Sequence, residues 1–114
     1  NLMEVFENIA GIAMGYGRVS TNGVNANHLR ALIVSTIPNR DCTGVVNSQL
    51  CSFQNGGTCY GDEGSPLVIQ RSGSYMQIGI IQVINDNSPM RFCALGPSVY
   101  TRITSFMEWI RRNM

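Results

Sequence analysis

The chain has 114 residues, 44% of them hydrophobic and 13% charged, which is room for one apolar-rich domain and excludes a disordered tail. A formal net charge of +1 gives no field to gather nucleic acid or acidic lipid, so neither is expected as a partner. The longest apolar runs, such as residues 78–81, are too short to span a bilayer, so no membrane partner is expected either.

No charged-then-apolar leader opens the sequence, so the chain is expected to start as a mature or processed piece. From there, short apolar stretches alternate with turn signals. Residues 9–14 run into Gly15-Tyr16-Gly17. Asn22-Gly23 is a hairpin signal. Residues 29–37 (LRALIVSTI) have strand composition and stop at Pro38. Asn55-Gly56-Gly57 reads as a loop. Residues 66–70 form a strand that Ser72-Gly73-Ser74 turns back. Residues 75–84 (YMQIGIIQVI) are the strongest strand, and 98–103 (SVYTRI) are another. Strands at this spacing with glycine-rich turns predict an all-β barrel or sandwich. The end differs. Phe106, Met107 and Ile110 sit at helical spacing behind Ile103, and Ser105-x-x-Glu108 has the form of a capping box. A C-terminal helix of about two to three turns is expected to pack on the barrel, with Trp109 as a packing residue rather than a ligand anchor.

The cysteines are Cys42, Cys51, Cys59 and Cys93, with no C-x-x-C pair, and the single histidine, His28, stands well before them. This spacing does not favour zinc, and no metal or cofactor is expected. Two disulfides fit better and place the protein in an oxidising compartment, secreted from the cell. Spacing leaves the three possible pairings open.

The stretch CYGDEGSPLV, residues 59–68, carries the strongest signal. It resembles the C-x-G-D-S-G-G-P-L-V loop of chymotrypsin-like serine proteases, with Cys59, Gly61, Asp62, Gly64, Pro66, Leu67 and Val68 matching. Gly15-Tyr16-Gly17 is similar to that family's Gly-Trp-Gly. Asn39-Arg40-Asp41-Cys42, Gly79-Ile80-Ile81, Cys93 and Gly96-Pro97-Ser98-Val99-Tyr100-Thr101-Arg102 follow its order, as does the terminal Glu108-Trp109-Ile110. Residues 97–100 look most like arthropod members. The resemblance runs from about residue 9 to the end. It implies that the fold is the second six-stranded antiparallel β-barrel of the two-barrel chymotrypsin-like fold, with a C-terminal α-helix. The first barrel is then expected on a separate chain cut from the same precursor, as a partner held by packing. That barrel carries the family's catalytic histidine and aspartate; His28 aligns elsewhere and is read as a surface or packing residue. The resemblance also implies the bonds Cys42–Cys51 and Cys59–Cys93. A third family bridge would join the positions of Gly11 and Ile69, where cysteine is absent.

The loop departs from its pattern at two places, Glu63 and Ser65, the latter where the family has glycine. Glu63 stands where the family has its serine nucleophile. A carboxylate is a weak acyl nucleophile, and its charge sits where the tetrahedral oxyanion must form. The backbone N–H groups of Gly61 and Glu63 hold the positions of the oxyanion hole. Asp62 holds the place of the aspartate that pairs with a freed N-terminus in active members; this chain opens at Asn1, and no such terminus is expected from it. Ser65, two residues on, is not expected to substitute, because a base must reach the hydroxyl at about 3 Å. The specificity pocket has drifted too. Its base aligns with Gly57, its walls with Ile84 and Ser98, and Gln82-Val83-Ile84 replaces Ser-Trp-Gly. A β-branched Ile84 in place of glycine is expected to fill the mouth.

The resemblance and these departures imply a catalytically inactive, secreted serine protease homologue. It is expected to act by binding proteases or other extracellular proteins as a cofactor, decoy or scaffold, in protease cascades or arthropod immunity. The alternative is a structural, storage or small-ligand-carrying protein on a protease scaffold. An active protease assembled from two chains ranks behind both, because of Glu63.

Overall fold

A computed structural model describes residues 5–15, 28–42, 44–52, 64–82 and 98–114. Among the described residues there are six strands: β1 Ala10–Gly15, β2 Arg30–Ile37, β3 Gln49–Ser52, β4 Pro66–Arg71, β5 Ser74–Gln82 and β6 Ser98–Arg102. They close into an antiparallel barrel in the order β1-β2-β3-β6-β5-β4. A helix, α1 Met107–Arg112, follows. This is the closed six-stranded barrel with a C-terminal helix that the resemblance implies.

Alternation builds the core. Every second residue of β1 and β6 is buried, as are Leu67 and Ile69 of β4, so Ala13, Leu67, Ile69 and Tyr100 point inward beside Val34, Leu50, Ile78 and Ile81. Gly79 is required for the strands to approach. A Cβ there would lie 3.1 Å from Tyr100 Cβ and 3.4 Å from Leu67 Cβ. The β4–β5 hairpin turns through Ser72 (φ 53°) and Gly73 (φ 81°), the left-handed pair a two-residue type I′ loop demands. A register shift between Leu67 and Val68 bends β4 around the closed wall.

The structure joins Cys42 to Cys51. The bond ties the 3₁₀ turn Asn39–Asp41 to β3, and a closed loop of this size contributes about 2–4 kcal/mol. Cys59 and Cys93 lie outside the described residues. Gly11 and Ile69 do lie together: a Cβ on Gly11 would be 3.6 Å from Ile69 Cγ2, so isoleucine packs where a bridge would run.

Some expectations are corrected. β3 was not anticipated; its QLCS has no alternating polarity, because the disulfide and the inward Ser52 bury both faces. The capping box at Ser105 and Glu108 does not form. The chain first makes a 3₁₀ turn, Ile103–Phe106, and Ser105 Oγ donates to Asn47 O at 3.4 Å instead. Glu108 pairs with Arg112 one turn on, at 2.6 Å. Helix α1 is shorter than expected and buries none of its residues; Trp109 is 65% exposed rather than packed on the barrel. The 3₁₀ turn packs against β5. The Asn22-Gly23 signal lies outside the described residues.

Candidate functional site

Antiparallel closure sends six strand ends to one rim of the barrel: Gly15, Arg30, Ser52, Pro66, Gln82 and Ser98. The sequence-predicted site residues belong to stretches that connect these ends in the chain. Gly57, Gly61, Asp62, Glu63, Val83 and Ile84 lie outside the described residues; Gly64, Ser65, Gln82 and Ser98 lie within them. His28 is exposed just before β2, at the same rim.

The residues that follow Glu63 are fixed by main-chain bonds. Gly64 adopts φ 83°, a conformation suited to glycine, and its N–H donates to Ile81 O at 2.9 Å. Ile81 N–H returns a bond to Ser65 O at 2.9 Å. The pairing of β4 with β5 thus continues to the residue adjoining Glu63.

Gln82 and Ser98 are not brought together; they occupy opposite faces of the wall. Gln82 sits on the outer face, where it joins a directed chain of hydrogen bonds. Val46 N–H donates to Gln49 Oε1 at 3.1 Å, and a backbone N–H can only donate. That fixes the Gln49 amide, so its Nε2 donates to Gln82 Oε1 at 2.9 Å. Gln82 Nε2 then donates to Thr101 Oγ1 at 2.8 Å. The Gln82 side chain is thereby drawn along β6 and β3.

Ser98 faces the interior. There Ser52 Oγ and Tyr100 Oη lie 2.8 Å apart, and Ser98 also hydrogen-bonds the tyrosine. Three hydroxyls are sealed together beneath the rim, with Ser52 and Ser98 each 2% exposed and Tyr100 0%. Burial pushes the Tyr100 phenol above its ordinary value of 10.0, while the bonds to Ser52 and Ser98 pull it down. Ser52, Tyr100, Gln49 and Thr101 are not among the sequence-predicted site residues. The period-2 parity of SVYTR was a usable signal, since it places Ser98 and Tyr100 on one face.

This barrel, with its glycine-bounded turn beside position 63, can be set against known proteins. The sequence matches the family described as Trypsin over residues 7–110. The chain belongs to the trypsin family. This trypsin-family chain is 35% identical over 109 residues to Chymotrypsin-2 of Vespa crabro, covering 90% of the chain and 45% of that protein. It is 27% identical over 117 residues to CLIP domain-containing serine protease B4 of Anopheles gambiae, covering 93% and 31% respectively. Serine protease snk of Drosophila melanogaster is 30% identical over 117 residues, with 89% of the chain and 26% of that protein covered. The chain spans less than half the length of the relatives it matches. No helix among the described residues is long and apolar enough to cross a membrane.

Proposed function

We propose that this trypsin-family chain is the second barrel of a secreted protein that has lost peptide-bond cleavage and works by binding other extracellular proteins. One observation carries the reading: Glu63 stands at the nucleophile position of a loop whose Cys59, Gly61, Asp62, Gly64, Pro66, Leu67 and Val68 match the family. Acyl transfer needs a nucleophile that a neighbouring base can deprotonate and an oxyanion held by N–H donors. Glutamate supplies a carboxylate already ionised at neutral pH, and it carries a negative charge into the space reserved for the oxyanion. Its attack on a peptide would give a mixed anhydride. The carboxylate is also suited to accept from the Gly61 and Glu63 N–H groups, blocking an empty site. Val83 and Ile84 at groove positions support the same reading, because several functional positions have changed together. A role as cofactor, decoy or scaffold in a protease cascade follows from retaining the protease surface without its chemistry.

The purified full-length protein is expected to stay unlabelled by a fluorophosphonate probe and to cleave no substrate in a broad peptide panel. Stoichiometric labelling at Ser65, or turnover abolished by Ser65→Ala, would overturn the reading.

The outer face supports a second barrel as companion. Cross-strand register aligns Ile12 with Ile33 and with Val68, and Pro66 with Ile80; Met14 lies on the same face of β1. Ile33 is 69% exposed on this barrel alone. Such a contiguous apolar band is what a neighbouring barrel covers, burying on the order of 1,000 Å² or more. Native mass spectrometry of unreduced material is expected to show this barrel held to a second one, on the same chain or another. A stable particle containing this barrel alone would sink the idea.

A further inference from the structure

The end of the barrel opposite the rim is closed by residues 5–9, a segment with no regular secondary structure. We propose that this segment is a latch: it swings out as a unit while the six strands stay paired.

Its attachments are few and concentrated. Phe6 is inserted into the core, 3% exposed, with the Arg71 guanidinium 5.4 Å above its ring. Thr36 holds the backbone around it. The Thr36 hydroxyl donates to Phe6 O at 2.8 Å and accepts from Ile9 N–H at 3.0 Å. The Thr36 N–H donates to Ile9 O at 2.9 Å, and Asn8 N–H donates to Thr36 O at 3.1 Å. Beyond Thr36, the Glu7 carboxylate accepts from Asn39 N–H at 3.0 Å and lies 3.7 Å from the Arg102 guanidinium.

None of these bonds belongs to the barrel's own ladder. The pairing of β1 with β2 begins at Ala10 and Ser35, one residue past the segment. Releasing residues 5–9 therefore breaks no strand pair. Arg102 also keeps its bonds to Gln49 O, at 2.9 and 3.2 Å. The closed position is strained as well. Phe6 (φ 56°) and Asn8 (φ 60°) both adopt left-handed backbone conformations, which asparagine tolerates and phenylalanine does not favour. Strain is relieved on opening and offsets part of what Phe6 burial contributes. Local release then costs less than unfolding, the condition for a separate opening unit. Opening removes Phe6 from beneath Arg71 and Glu7 from beside Arg102. The barrel end then presents an aromatic-sized niche flanked by cationic groups.

Native-state hydrogen exchange on the full-length protein tests this. The Asn8, Ile9 and Asn39 amides are expected to exchange faster than the Ile81 amide, through an opening that low urea does not accelerate. Thr36→Val keeps the shape and removes the hydroxyl, so Asn8 and Ile9 are expected to exchange about tenfold faster while staying ahead of Ile81 and insensitive to low urea. Glu7→Gln, a milder change, is expected to shift the Asn39 amide in the same direction. If the wild-type latch amides share both the rate and the urea dependence of Ile81, the segment opens only with the whole barrel and the latch is refuted.

Discussion

Glu63→Ser in the full-length protein, which on the proposed alignment restores the nucleophile, is expected to leave peptide hydrolysis about a thousandfold or more below that of an active trypsin-family relative. The substitution returns a hydroxyl and removes the misplaced charge. It does not return the groove. On the proposed alignment Val83 takes the place of an aromatic residue of the family's substrate strand, and Ile84 the place of a glycine. A β-branched side chain at a pocket wall keeps a substrate side chain from seating, and a misplacement of about 1 Å alone can cost a hundredfold. Gln82 adds to this. On the same alignment it replaces a short serine, and its amide is held toward Thr101 and Gln49 rather than left free to settle around a substrate. Steady-state hydrolysis of a broad fluorogenic peptide library, with Chymotrypsin-2 of Vespa crabro as comparator, measures the gap. Turnover within about tenfold of that comparator would show that the groove is intact and that position 63 alone silences the protein.

The barrel was legible where strand composition runs between turn signals. Residues 29–37, 66–70 and 98–103 are such stretches, and strands occupy those places with ends moved by a residue or so. β3 was not legible, because Cys51 and Ser52 are buried on opposite faces and erase the pattern a half-buried strand shows. The segment holding Phe6 was missed for a related reason. Its burial depends on two left-handed residues and a distant threonine hydroxyl, and neither leaves a periodic trace. At the C-terminus local signals misled: Ser105 has the residue type and spacing of a cap, yet a tertiary bond to Asn47 takes its hydroxyl. The candidate site divides in the same way. Glu63 stands out only against the family loop, since nothing in residues 59–68 taken alone calls for serine. The hydroxyl cluster of Ser52, Ser98 and Tyr100 needed the closed barrel, which brings β3 and β6 side by side.

That cluster sets the second large expectation. Tyr100→Phe is expected to destabilise the protein by about 1–3 kcal/mol at neutral pH, because the Ser52 hydroxyl loses its phenol partner inside a sealed interior. Adding Ser52→Ala is expected to recover part of the loss, since removing both members of a buried pair costs less than stranding one. The pH dependence separates this from simple packing damage. The folded protein holds the Tyr100 proton more tightly than the unfolded chain, whose phenol titrates near 10.0. Below that value both states are protonated and the contribution is complete. As pH rises past it the unfolded chain releases the proton first, so the native state loses stability, at a slope approaching about 1.4 kcal/mol per pH unit until the folded phenol titrates. Phenylalanine has no proton to lose. The stability gap between wild type and Tyr100→Phe is therefore expected to narrow above pH 10, read from urea midpoints at pH 7, 10 and 11. Parallel curves across that range would mean that the phenol titrates alike in the folded and unfolded chains, and that burial does not govern its proton.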